Sequence, residues 1–196
     1  MTLKALFLNG CVSAAMVIST VPAMAAVVHE CVAGKPNPAS YTWDFKAETN
    51  TIFQDIQSDA QQALDHADQL QGVQNAHLSW DSQGLQLDAI KDEVNDIEAK
   101  ICRLETIRRV VAPWQKKEID RIAATTRLMV DNTQDAILFG NAHQENLWLA
   151  TYRKYTDNLD AEAQNLANSV GRAVEYANVS KEYRNLRHGM QASASS

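Results

Sequence analysis

The sequence predicts an all-α fold, an up-down-up-down antiparallel four-helix bundle with an extended N-terminal arm. Three observations carry this. Chain breakers are scarce, with 4 prolines and 7 glycines in 196 residues, and helix formers are abundant. Apolar residues recur at alternating three- and four-residue steps in four separate segments, which gives each helix one face to bury. The breaks between the segments are short, so consecutive helices become antiparallel neighbours. The competing arrangement is a long helical hairpin that dimerises through the same stripes.

Residues 1–25 read as a secretory signal peptide. Lys4 precedes an apolar run from Ala5 to Val21, Pro22 breaks it, and Ala23-Met24-Ala25 places small residues at −3 and −1 of a cut before Ala26. An uncleaved anchor is the alternative, but Asn9, Gly10, Ser13 and Pro22 dilute the segment. Cleavage leaves 171 residues, one domain with a real core and no integral membrane span. Export makes the protein periplasmic or secreted.

Residues 26–41 carry Gly34, Pro36 and Pro38 and read as the arm. The bundle is expected over 42–188. Helix one presents Phe45, Phe53, Ile56, Ala60, Ala63, Ala67 and Leu70, and Gly72 to Gly84 reads as the break after it. Helix two presents Leu87, Ile90, Val94, Ile97, Ile101, Leu104 and Val111, with Arg108 interrupting the line. Pro113 suits the first turn of helix three, where its missing N–H costs nothing. That helix presents Ile119, Ile122, Met129, Thr133, Ala136 and Gly140, then His143. After a corner at Asn146 to Ala150, helix four presents Tyr152, Tyr155, Leu159, Ala163, Leu166, Val170, Ala173 and Ala177. Residues 189–196 read as a disordered tail.

Trp43, Trp80, Trp114 and Trp148 each fall near a helix start, so two rings plug each end of the bundle. Gly140 interrupts a buried stripe, and pairing across the corner makes room there for the Tyr155 ring.

The cysteines follow from export. Cys31 and Cys102 remain after cleavage, and in an oxidising compartment they form one disulfide. Closing so long a loop is worth roughly 4 kcal/mol in the loop-entropy treatment, and the bridge would pin the arm to the bundle wall.

Charge is distributed unevenly. The half of the bundle distal to the start of helix one holds fourteen acidic and three basic residues, whereas the proximal half holds ten acidic and fourteen basic. Such a field steers an anionic partner to the proximal end. The basic patch expected there is Arg108, Arg109, Lys116 and Lys117. The bland alternative is that these charges only solvate a long bundle through i,i+4 pairing. Nucleic acid is a poor partner for a mature chain with 17 basic and 24 acidic residues.

Chemistry-bearing motifs are missing from the sequence. There is no Glu-x-x-His pair, Cys-x-x-Cys-His, Gly-x-Ser-x-Gly, His-Glu-x-x-His or phosphate-binding loop. No catalytic residue, metal site or cofactor is expected, and the chain reads as a non-enzyme. The leading expectation is an exported binding or structural module for a protein or anionic envelope polymer. The alternative is a small-ligand or haem carrier using the bundle interior, with His143, Trp148 and Tyr152 lining its distal end and His66 the other available haem ligand.

Overall fold

The structure, a computed structural model, describes residues 44–194. The signal peptide, the arm, Cys31 and Trp43 lie outside the described residues. Four helices follow in order: α1 Phe45–Asn75, α2 Trp80–Ile107, α3 Pro113–Ala142 and α4 Ala150–Ala194. α1 and α3 each pack against both α2 and α4. Side-chain pairs run in opposite order along α1 and α2 and along α3 and α4. Glu48 meets Arg103 and His66 meets Gln86 across α1 and α2. Trp114 meets Tyr176 and Phe139 meets Tyr152 across α3 and α4. Gln74 meets Thr156 across α1 and α4.

Local chemistry sets the helix ends. The Asp44 carboxylate accepts from the Lys46 and Ala47 N–H groups at 3.0 and 3.1 Å, capping α1. At the other end of α1, Leu78 N–H donates to Val73 O and His77 N–H to Gln74 O, both at 3.0 Å. That is the Schellman pattern, with His77 at φ 53° in the position glycine usually takes. The break expected at Gly72 to Gly84 is therefore narrower, since both glycines lie inside helices and residues 76–79 alone connect them. A helical glycine costs only about 1 kcal/mol, which core packing offsets. Pro113 opens α3 as anticipated.

The stripes close into one core of Phe53, Ile56, Leu70, Leu87, Ile90, Ile97, Leu104, Ile119, Ile122, Met129, Leu159 and Leu166, all with no exposed surface. Thr126 and Thr133 fill stripe positions of α3 and donate to Ile122 O at 2.9 Å and Met129 O at 2.6 Å, so their buried hydroxyls are satisfied. Asp59 is the one carboxylate buried among the described residues, and it accepts from Lys100 Nζ across α1 and α2 at 2.5 Å.

α4 departs from expectation. Its last buried side chain among the described residues is Ala177, yet the helix continues through Ala194, so the segment expected as a disordered tail is helical to that residue. Arg184 and Asp44 line the same cleft, which places residues 185–194 beyond the start of α1. Ten helical residues reach about 15 Å. Among the described residues, no helix is long and apolar enough to cross a membrane.

Candidate functional site

The overrun of α4 creates a cleft at the proximal end. Its walls are the first turns of α1 (Asp44, Lys46, Asn50), the start of α3 (Ala112, Trp114, Gln115) and α4 from Ala177 to Arg184, and its volume is about 380 Å³. Gln115, 1% exposed, anchors the base. Its Nε2 donates to Lys46 O at 3.0 Å and Asn50 Oδ1 at 2.9 Å, while its Oε1 accepts from Ala112 N–H at 2.9 Å. One buried amide thus fixes α3 against α1. Trp114 is held between Phe53 at 6.2 Å and Tyr176 at 4.8 Å.

Lys46, Lys181 and Arg184 bring three cations to this cleft, and no ion pair engages them among the described residues. Asp44 is the single acid in the lining, and its carboxylate already accepts two backbone N–H groups. The cleft therefore offers a fixed aromatic wall and an excess of positive charge, the chemistry that receives a carboxylate, sulfate or phosphate group.

The expected basic patch sits at the neighbouring α2–α3 corner and is partly spent on local structure. Arg108 donates to both oxygens of Asp120 at 2.8 and 2.7 Å. This bond, with the opposite charge of each partner, holds the Asp120 carboxyl below its usual range and pushes Arg108 up. Lys116 Nζ reaches Arg109 O at 3.2 Å, beside the end of α2. Arg109 and Lys117 are exposed. Lys100 and Arg103 are also engaged, by Asp59 and Glu48. The Asp59–Lys100 pair straddles the midpoint that separates the two charge halves, so part of the asymmetry is local pairing.

Carboxyl groups crowd in the distal half. Burial, then the neighbouring Asp68 carboxylate, raises Asp160. Burial, then Asp59 and Asp96, raises Glu93. Burial also raises Glu162, with the Asn132 amide opposing it. No group of three or more His, Cys, Asp or Glu among the described residues could hold a metal ion.

The distal end holds a second cavity of about 210 Å³, lined by Gln74, His77, Gln83, Leu147, Trp148 and Arg153 among others. Of the three residues expected to line a ligand site there, Trp148 does so, whereas His143 and Tyr152 do not. His143 is exposed and is no core residue, because α3 ends at Ala142 and turns it outward as the cap. Its ring stacks on Phe139 at 4.4 Å and its Nδ1 lies 3.1 Å from Phe139 O. Tyr152 is fully buried on the far side of Phe139, with a ring separation of 5.9 Å. His66 faces Gln86 on α2, with Nδ1 3.0 Å from Oε1. Neither histidine proposed for haem lines this cavity.

The tryptophans also divide. Trp80 and Trp114 are half-buried against the core, whereas Trp148 is 66% exposed and plugs nothing. The void above Gly140 is filled by Trp80, the reverse of the Tyr155 expectation. Cys102 is half-buried near the end of α2.

Sequence reading missed the cleft because its cations come from α1 and α4, more than a hundred residues apart, and meet only once α4 overruns the bundle. It also missed Gln74, Gln83 and Gln115, all nine-tenths or more buried. A signal for these existed, since each lies four residues beyond the end of an apolar stripe, after Leu70, before Leu87 and before Ile119.

No family model, curated protein or solved structure matches this chain.

Proposed function

We propose that the protein is an exported binding module, cut after Ala25 and stapled by a Cys31–Cys102 disulfide, that holds an anionic partner in its proximal cleft. The convergence of Lys46, Lys181 and Arg184 on a cleft with one acidic residue carries this reading. Arg109 and Lys117, exposed at the adjacent corner, extend the positive surface for a polymer longer than the cleft. The crowded distal carboxyls repel such a partner and orient it toward the proximal end. The chain's role is binding rather than catalysis, with an anionic envelope polymer or the acidic surface of another protein as partner.

Calorimetric titration of the mature protein with polyphosphate and with poly-L-glutamate tests the reading. Binding should weaken with salt, and Lys46→Gln/Lys181→Gln/Arg184→Gln should lower affinity at least about tenfold, given three charge-assisted contacts. Unchanged affinity in that variant would sink the proposal.

One observation favours the second reading, a carrier of a small polar ligand at the distal end. Among the described residues Gln74 Nε2 and Gln83 Oε1 are buried without a hydrogen-bond partner, and both residues line the distal cavity. A free donor and a free acceptor suit a carboxamide or an ordered water. A retained small molecule, released on denaturation and absent from Gln74→Leu/Gln83→Leu, would support the carrier. A bare protein mass in native mass spectrometry would oppose it.

A further inference from the structure

α4 carries a second apolar stripe that the bundle engages only at its first residue. Tyr176, Val179, Tyr183, Leu186 and Met190 follow one another at steps of three, four, three and four, and each is more than half exposed. Trp114 touches the first of them. The inward line of Val170, Ala173 and Ala177 continues instead through Ser180, Arg184 and Arg187, so the exposed stripe is offset from the core seam by one residue. A one-residue offset turns it about 100° around the helix. Past the start of α3, nothing among the described residues covers that side.

We propose that this stripe is the seam of a parallel coiled coil formed with a second copy of the chain. The alternating three-four step is the heptad spacing that lets knobs of one helix enter holes of another. Tyr176, Tyr183 and Met190 take the a positions, and Val179 and Leu186 take d. The flanking charges fix the orientation. Glu175 and Glu182 then fall at g, and Ser180 and Arg187 at e. In a parallel pair each g residue faces the partner's e residue five positions on. Glu182 of one copy meets Arg187 of the other, twice by symmetry. An antiparallel pair would set g against g and e against e, bringing glutamates together and arginines together.

Two heptads make a short seam, so association is weak and concentration-dependent, helped because α4 is already nucleated by the bundle. Pairing would set two proximal clefts side by side, and a polymeric anion could span both with added avidity. The seam itself does not depend on what the cleft binds.

Sedimentation velocity over a concentration series of the mature protein, with a cross-linking arm, tests this. The dimer fraction should rise with concentration. Leu186→Asp should raise the dissociation constant at least about tenfold while helix content and Tm hold, since Leu186 is exposed. Glu182→Arg should weaken the dimer about threefold, and adding Arg187→Glu should restore it. Leu186→Cys and, separately, Val179→Cys should each cross-link to itself on oxidation, because a parallel register sets every d position against its own copy. A monomer at every concentration overturns the proposal, as does a dimer that Leu186→Asp leaves intact or a double charge swap that fails to restore pairing. A monomer whose Tyr183 and Leu186 are instead protected by phosphatidylglycerol vesicles assigns the stripe to a membrane surface and equally overturns it.

Discussion

Gly140 of α3 lies against the ring of Trp80 of α2 so closely that a Cβ at position 140 would sit 2.0 Å from Cζ3 and 2.2 Å from Cη2. The ring occupies space that only glycine leaves, at a buried position where the two helices meet. Overpacking by Gly140→Ala should cost about 1–3 kcal/mol. Set against a gain of about 1 kcal/mol in helix propensity, the net loss is up to about 2 kcal/mol. Trp80→Leu should remove most of the penalty in a double-mutant cycle by urea denaturation. A stabilised single variant would contradict the packing.

His77 holds the left-handed position that ends α1, at φ 53°. Its backbone N–H and that of Leu78 close the helix, and its side chain is exposed. His77→Gly should raise stability by about 1 kcal/mol by relieving the strain of a Cβ there, read as a higher urea midpoint at constant m-value.

The Tyr152 hydroxyl is buried with no hydrogen-bond partner among the described residues, and burial holds its ionisation well above the ordinary tyrosine value. Tyr152→Phe keeps the ring stacked on Phe139 and removes an unsatisfied group. Stability should hold or rise by about 1 kcal/mol. A loss larger than that, measured by thermal denaturation, would show that the hydroxyl has a partner.

These positions also show how far the sequence carries. The four stripes were legible because burial of one helix face leaves a direct 3.6-residue trace, and nearly every stripe residue is buried. Helix ends were less legible. Gly72 and Gly84 looked like breakers but are tolerated within helices, while the actual terminator is His77, a residue type that rarely marks such a turn. Periodicity put His143 on a buried stripe, and the end of α3 one residue earlier sends it into solvent. The Trp80–Gly140 contact depends on register between helices, which pattern within one helix does not encode. The proximal cleft depends on the same register and on the length of α4 as well.

Stability should respond to pH through the distal carboxyls. Asp160 and Glu93 are raised in the folded protein, so between the unfolded and folded values the native state binds more protons. Stability then falls as pH rises through that range and recovers as pH falls back through it. Asp120, which is lowered, acts in the opposite sense, its contribution being lost as pH falls through its folded value. Asp160→Asn should raise Tm at pH 7 and flatten the dependence between these limits.

Amide and indole chemical-shift mapping of the isotope-labelled mature protein, titrated with polyphosphate, tests the central claim most directly. Salt-sensitive shifts confined to Lys46, the Trp114 indole, Lys181 and Arg184, with Gln74, Gln83 and Trp148 unmoved, are the predicted result. Shifts centred on the distal cavity, or no shifts at the proximal cleft at saturating polymer, would contradict the account.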